Sequence, residues 1–146
     1  MTKIDKVLFT GKTHTTHTTP NAPHGNLDIK LSPGKNAPVA YEFLATPSHP
    51  LAEQLFAGAW SACYTAALGI VAAERKVTLP ADLAVEIEVD LGMTGKEYFL
   101  QARINVRAPG IDHDVATEMA HTADTICPYS KATRGNIDVA LTVVTD

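Results

Sequence analysis

The chain has 146 residues, 45% hydrophobic and 19% charged, with a formal net charge of −4. That is enough for one domain with one core, in an ordinary globular balance. Its 12 lysines and arginines are spread along the chain, so it lacks the basic stripe a phosphate backbone needs, and no nucleic-acid partner is expected. The opening MTKIDKVLFTG has no long apolar stretch, so no secretory signal is read and a cytoplasmic location is expected. In that compartment two cysteines are catalytic, redox-active, metal-binding or simply buried, and do not form a structural disulfide scaffold.

Residues 4–9 read as a short strand, and the Thr-rich residues 12–19 as a second. His14 and His17 are three apart, so on a flat strand they point to opposite faces and cannot share a metal. Pro20, Pro23, His24 and Gly25 mark a turn-rich loop. Leu27, Ile29 and Leu31 alternate with Asp28 and Lys30 as a half-buried strand. Residues 39–45 are a further candidate strand.

Between Glu53 and Glu74 lie 20 residues without a charge, QLFAGAWSACYTAALGIVAA. No proline interrupts them, and Ala, Leu and Gln favour helix. Pro50 suits a first helical turn, and Ser48 or His49 would be the cap. The expectation is one helix over about residues 50–75, apolar on nearly all sides, and so either buried on most of its surface or within a membrane. Its length is that of a bilayer span. Its many Ala and Gly residues, with Gln54, Ser61, Cys63 and Thr65, contribute little transfer energy. Amphipathic strand patterns flank it, and no second span exists. A central core helix is therefore expected, and no membrane partner.

Residues 77–82 form a linker. Leu83, Val85, Ile87, Val89 and Leu91 alternate with Ala84, Glu86, Glu88 and Asp90, the cleanest strand signal in the chain. A turn at residues 92–96 leads into the alternation Tyr98, Leu100, Ala102, Ile104, Val106. This predicts a hairpin with one face buried and one wet. Asp112 is placed to cap a second helix over residues 113–126, with Val115, Met119, Ala123 and Ile126 on one face and Ala116 and Ala120 beside them. Cys127-Pro128 ends it. Residues 129–136 read as a polar connection and residues 137–143 as a last strand. Strands clustered in hairpins rather than alternating with helices indicate an α+β fold with antiparallel sheets, one domain over residues 1–146.

The stretches around the two cysteines carry a family resemblance. EQLFAGAWSACYTAAL (residues 53–68) and ICPYSKATRGNIDVALTV (residues 126–143) are similar to the organic hydroperoxide resistance proteins, a branch of the OsmC superfamily. RINVRAPGID (residues 103–112) and GNLDIKL (residues 25–31) also resemble their counterparts there. The resemblance implies an OsmC-like fold, an intertwined homodimer whose two sheets enclose the central helices. It implies a cofactor-free thiol peroxidase acting on organic hydroperoxides, regenerated by a dithiol such as dihydrolipoamide on a lipoylated protein.

Such chemistry needs a cysteine as thiolate, which attacks a peroxide oxygen and becomes a sulfenic acid. A second thiol then closes a disulfide that an external dithiol can reduce. By the resemblance Cys63 attacks and Cys127 resolves; by composition alone, two buried thiols serving as core filler read as well. Apolar packing around Cys63 would raise its pKa, so a cationic or hydrogen-bonding group must offset it. In the family an arginine does this, held by a glutamate that Glu53 matches, ten positions before Cys63. Ten helical residues span about 15 Å, so Glu53 reaches the site only if the helix bends or a partner subunit supplies it. The arginine is missing: no arginine precedes Arg75. His24, His14, His17 and Lys12 are the candidates to replace its charge, and a His is partly protonated near neutral pH. Leu55, Phe56 and Trp60 are expected to wall an apolar substrate pocket, with His24 nearby. Arg134 belongs to the family motif and is expected to order its loop. The alternative is an OsmC-like protein that binds a small apolar ligand or senses oxidation. No C-x-x-C or H-x-x-x-H pattern places metal ligands together, so no metal is expected.

Overall fold

The structure, a computed structural model, describes residues 12–17, 27–32 and 51–146. The strands expected at residues 4–9 and 39–45, the helix caps Ser48 and His49, and His24 lie outside them. The chain divides at Ala52 into two units. The described part of the first is a ribbon of β1 (Lys12–His17) and β2 (Leu27–Ser32), antiparallel, with His14 opposite Lys30 and His17 opposite Leu27.

The second unit holds the remaining elements: α1 (Ala52–Arg75), β3 (Ala84–Thr94), β4 (Glu97–Arg107), α2 (His113–Ile126), α3 (Pro128–Thr133) and β5 (Asp138–Val144). The α+β class holds. The β3–β4 hairpin is antiparallel as expected, but β5 runs parallel to β4, so the sheet β3-β4-β5 is mixed. The reason is the intervening helical segment, which carries the chain back to the starting end of β4, as a parallel crossover must.

The hairpin turn is tighter than the sequence suggests. The strands continue to Thr94 and Glu97, leaving a loop of Gly95 and Lys96. Gly95 takes φ +62, the left-handed value that a type II′ loop requires of its first residue. Beyond the core the hairpin extends outward, with Met93 and Tyr98 paired and 60% and 66% exposed.

One core joins the layers: Trp60, Tyr64, Leu68 and Val71 of α1, Ala102, Ile104 and Val106 of β4, and Met119, Ala120 and Ala123 of α2. Burial in α2 follows Ala116, Met119, Ala120 and Ala123, whereas Ile126 is exposed. The apolar stripe is therefore rotated from the expected one, and its continuation is Cys127. Asp112 caps α2 as expected, accepting from the N–H groups of Asp114 and Val115 at 3.1 Å.

The expectation for α1 needs correction. The helix is long and apolar enough to cross a bilayer, but only one face is buried within the chain. Ala59, Ala62, Thr65, Ala66 and Ala73 are exposed, and Ile70 is 55% exposed. Residues 129–136 are also not an open connection, since Pro128 starts the helix α3. Proline at a first helical position is the signal for it.

At the end of α1, Lys76 adopts φ 57. Val77 N–H bonds Ala72 O at 2.9 Å and Lys76 N–H bonds Ala73 O at 3.2 Å. This is a Schellman closure, a position that glycine occupies without Cβ strain. Lys76→Gly is expected to stabilise the fold by about 0.5–1 kcal/mol. The check is a higher urea midpoint at unchanged slope.

Candidate active site

Cys63 lies in the middle of α1, one turn after Trp60 and next to Tyr64, on the edge of the helix face that enters the core. Trp60 and Tyr64 are fully buried, and Cys63 is half-buried. Cys127 is fully buried at the junction of α2 and α3. The preference of a residue before proline for extended angles turns the chain there, and Cys127 has φ −60 and ψ 121. It closes α2 by donating its N–H to Ala123 O at 2.9 Å, and its carbonyl accepts from Lys131 N–H at 3.0 Å in α3.

This arrangement brings the two cysteines together. Both are free thiols, and the Cys127 thiol lies close enough to the Cys63 thiol to act on its ionisation. The main-chain N–H of Tyr129, one residue past Pro128, lies close enough to the Cys63 sulfur to favour its charged form. Pro128 has no N–H and α3 has no side-chain cap, so the first N–H of this helix that a nearby acceptor can meet is that of Tyr129.

The Cys63 thiol is pushed above its ordinary value, first by burial, then by the bond to Cys127 and that group's charge; the Tyr129 N–H acts in the opposite direction. No lysine, arginine or histidine among the described residues acts on it. The Tyr64 phenol is also pushed up, by burial and then by the nearby Asp124 and Cys127. A buried phenol needs an acceptor, and Tyr64 donates to Ala120 O at 2.6 Å. The indole N–H of Trp60 donates to Ser130 Oγ at 3.0 Å.

Glu53 is half-buried in the first turn of α1, and that helix is unbroken through Cys63. The rise along it places Glu53 about 15 Å from Cys63 within one chain. Of the residues expected to wall a pocket, Trp60 is enclosed in the core. Phe56 is partly buried and stacks on it, ring centroids 5.6 Å apart at 44°, and Leu55 is half-buried. A separate, polar cleft of about 430 Å³ lies where α2, α3 and β5 meet, lined by His121, Asp124, Thr133, Arg134 and Asp138 among others. Arg134 donates to the Asp124 carbonyl at 2.8 Å and carboxylate at 2.7 Å, tying the motif loop to the end of α2.

Sequence reasoning missed Tyr64, Ser130 and the Tyr129 N–H. Only Tyr64 left a signal: a phenol on the core face of an apolar helix implies a buried acceptor.

The shifts of Cys63 and Tyr64 predict alkaline destabilisation. In the unfolded chain these groups lose their protons near 9.0 and 10.0; the native state holds both protons to higher pH. Between those limits the native state binds more protons, so stability present below pH 9 is lost as pH rises. Urea midpoints are expected to fall above about pH 9. In Tyr64→Phe the further fall above about pH 10 is expected to be shallower.

A model of the OsmC-like protein family matches residues 45–142. An uncharacterised protein of Acinetobacter baylyi is 42% identical over 94 residues, 64% of this chain and 66% of that protein. The organic hydroperoxide resistance protein of Xanthomonas axonopodis pv. citri is 37% identical over 91 residues, 62% of this chain and 64% of that protein. The chain thus spans just under two thirds of the length of these curated relatives. In three dimensions it is similar to the crystal structure of the organic hydroperoxide resistance protein OhrB of Bacillus subtilis. The TM-score is 0.73 and the identity 29%, covering 94% of this chain and 99% of that one. With the family match extending over most of the chain, including both cysteine helices, the protein belongs to the OsmC-like family, and its likeness there is to proteins named for organic hydroperoxide resistance.

Proposed function

We propose that this protein is a thiol peroxidase that reduces organic hydroperoxides to alcohols. The observation that carries the reading is the closeness of two free thiols, Cys63 and Cys127, in one core. Two sulfurs so placed need little movement to bond. The half-buried Cys63 is the one open to a substrate, and the enclosed Cys127 suits the resolving role.

The Cys63 thiolate attacks one oxygen of ROOH. The O–O bond breaks, the alkoxide leaves as ROH with a proton, and Cys63 becomes a sulfenic acid. The Cys127 thiol then displaces its hydroxyl as water, forming an S–S bond. An external dithiol of lipoyl type reduces that bond by exchange and is itself oxidised to a disulfide. No metal or cofactor takes part.

The protein acts as a cytoplasmic homodimer in this reading. Support comes from the open face of α1, where Ala62, Ala66 and Ile70 present small and apolar groups that let another backbone approach closely. A second copy is also the means by which Glu53 would reach a Cys63. Ala66→Arg is expected to convert a dimer to monomer, read by sedimentation velocity. A wild-type protein that sediments as a monomer would remove this part of the proposal.

The test of the chemistry is stoichiometric. Reduced protein treated with cumene hydroperoxide should lose both thiols per chain. Cys63→Ser should keep its one remaining thiol. Cys127→Ser should form a sulfenic acid that dimedone traps, without a disulfide. Persistence of both wild-type thiols under excess peroxide would sink the peroxidase and leave the ligand-binding or oxidation-sensing alternative.

A further inference from the structure

The geometry points to Ser130, held by Trp60, as a positioning residue for the Cys63 sulfur. Trp60 precedes Cys63 by one turn of α1 and is fully buried; its indole N–H donates to Ser130 Oγ at 3.0 Å, and Ser130 is 2% exposed. Ser130 follows Tyr129, whose N–H lies close enough to the Cys63 sulfur to act on it. Neighbouring residues of α3 are thus tied to α1 at points one turn apart.

The far end of α3 is tied to α2 by Arg134 and Asp124, but its first turn has no side-chain cap. The Thr133 hydroxyl donates to Tyr129 O and Ser130 O at 3.1 Å, both within α3 itself. The Trp60–Ser130 bond therefore sets how α3 is turned about the Cys63 contact. On the other side, Tyr64 ties α1 to α2 through Ala120 O. The bend bearing Cys127 is braced from both flanks.

A core has no need of this bond for stability. A buried hydrogen bond contributes about 1 kcal/mol net, and an apolar pair of the same shape does nearly as well. What the bond adds is a fixed direction. If it is lost, the Tyr129 N–H turns away from the sulfur, and the one influence favouring the Cys63 thiolate weakens. The titratable group set against Cys63 among the described residues is Cys127, and Tyr64 and Asp124 lie near that cysteine.

The catalytic consequence rests on the peroxidase reading; the effect on the sulfur does not. The test therefore reads both. Reduced wild type, Ser130→Ala and Trp60→Phe are alkylated with iodoacetamide from pH 7 to about pH 10.5, a range bracketing ordinary thiol ionisation. Modification of the Cys63 peptide is followed by mass spectrometry. Trp60→Phe keeps an aromatic ring in the core while removing the donor and some volume, so it serves where Ser130→Ala fails to fold. Both variants are expected to move the Cys63 midpoint up and to slow alkylation severalfold at neutral pH. A folded variant of either kind with the wild-type midpoint overturns the proposal. In the same proteins cumene hydroperoxide should close the Cys63–Cys127 disulfide more slowly. Wild type inert to the peroxide would refute the peroxidase, while the alkylation midpoints would still decide the role of Ser130.

Discussion

The contact between the Cys63 and Cys127 thiols is the constraint to which the second unit is built. Two residues 64 positions apart meet only if several independent features agree. The buried face of α1 must place Cys63 at its margin. The buried stripe of α2 must run out at Cys127 rather than at Ile126. The chain must then bend at that residue so that a short third helix can turn its first free N–H toward the other sulfur. Pro128 supplies the bend: it forces Cys127 out of helical angles and removes an N–H that would otherwise compete.

The electrostatics of this meeting are one-sided. Burial and the second sulfur both favour the neutral thiol of Cys63, and a single main-chain N–H opposes them. The net direction is upward, which is the wrong direction for a nucleophile. The thiolate that the proposed chemistry needs thus depends on a charge that the described residues of this unit do not supply. Glu53, about 15 Å along the same rigid helix, does not repair this within one chain, and as an acid it would act only by holding a cation. The missing family arginine and the upward shift are two views of one deficit: the fold provides geometry, and ionisation has to come from elsewhere.

Much of this was legible in advance because it rests on short-range rules. The alternation in β3 and β4, the Asp112 cap and the Cys127-Pro128 stop each depend on a few neighbouring residues, and each lies where expected. The misses depend on longer range or on finer choices. Six residues of α3 are too few to show a helical period. The parallel pairing of β5 is decided by how α2 and α3 return the chain, not by the strand itself. The two-residue turn at Gly95 competes with a longer one that Gly92 would equally permit. In α2 several alanines flank the true stripe, so the apolar pattern is nearly degenerate in rotation. What breaks that degeneracy is the tertiary bond from Tyr64 to Ala120 O. Around the cysteines the motif match singled out two residues that the fold brings near each other, whereas the bonds from Trp60 and Tyr64 that flank them are tertiary and left almost no trace in the pattern.

The half-covered state of α1 bears on the same deficit. A helix without charges over 20 residues would be insoluble if its open face carried Leu or Phe. Here that face is mostly Ala, Gly and Thr, with Ile70 the one large exposed aliphatic side chain on this helix. Small residues cost little while exposed, and they permit close approach once another surface covers them. Each contributes little when buried, so a stable contact must run along much of the helix. Such a contact necessarily passes Cys63, which lies on the margin between the covered and open faces. A surface that closed over α1 would therefore also enclose the sulfur, and since burial pushes its pKa up, it would favour the thiolate only if it brought a cation with it.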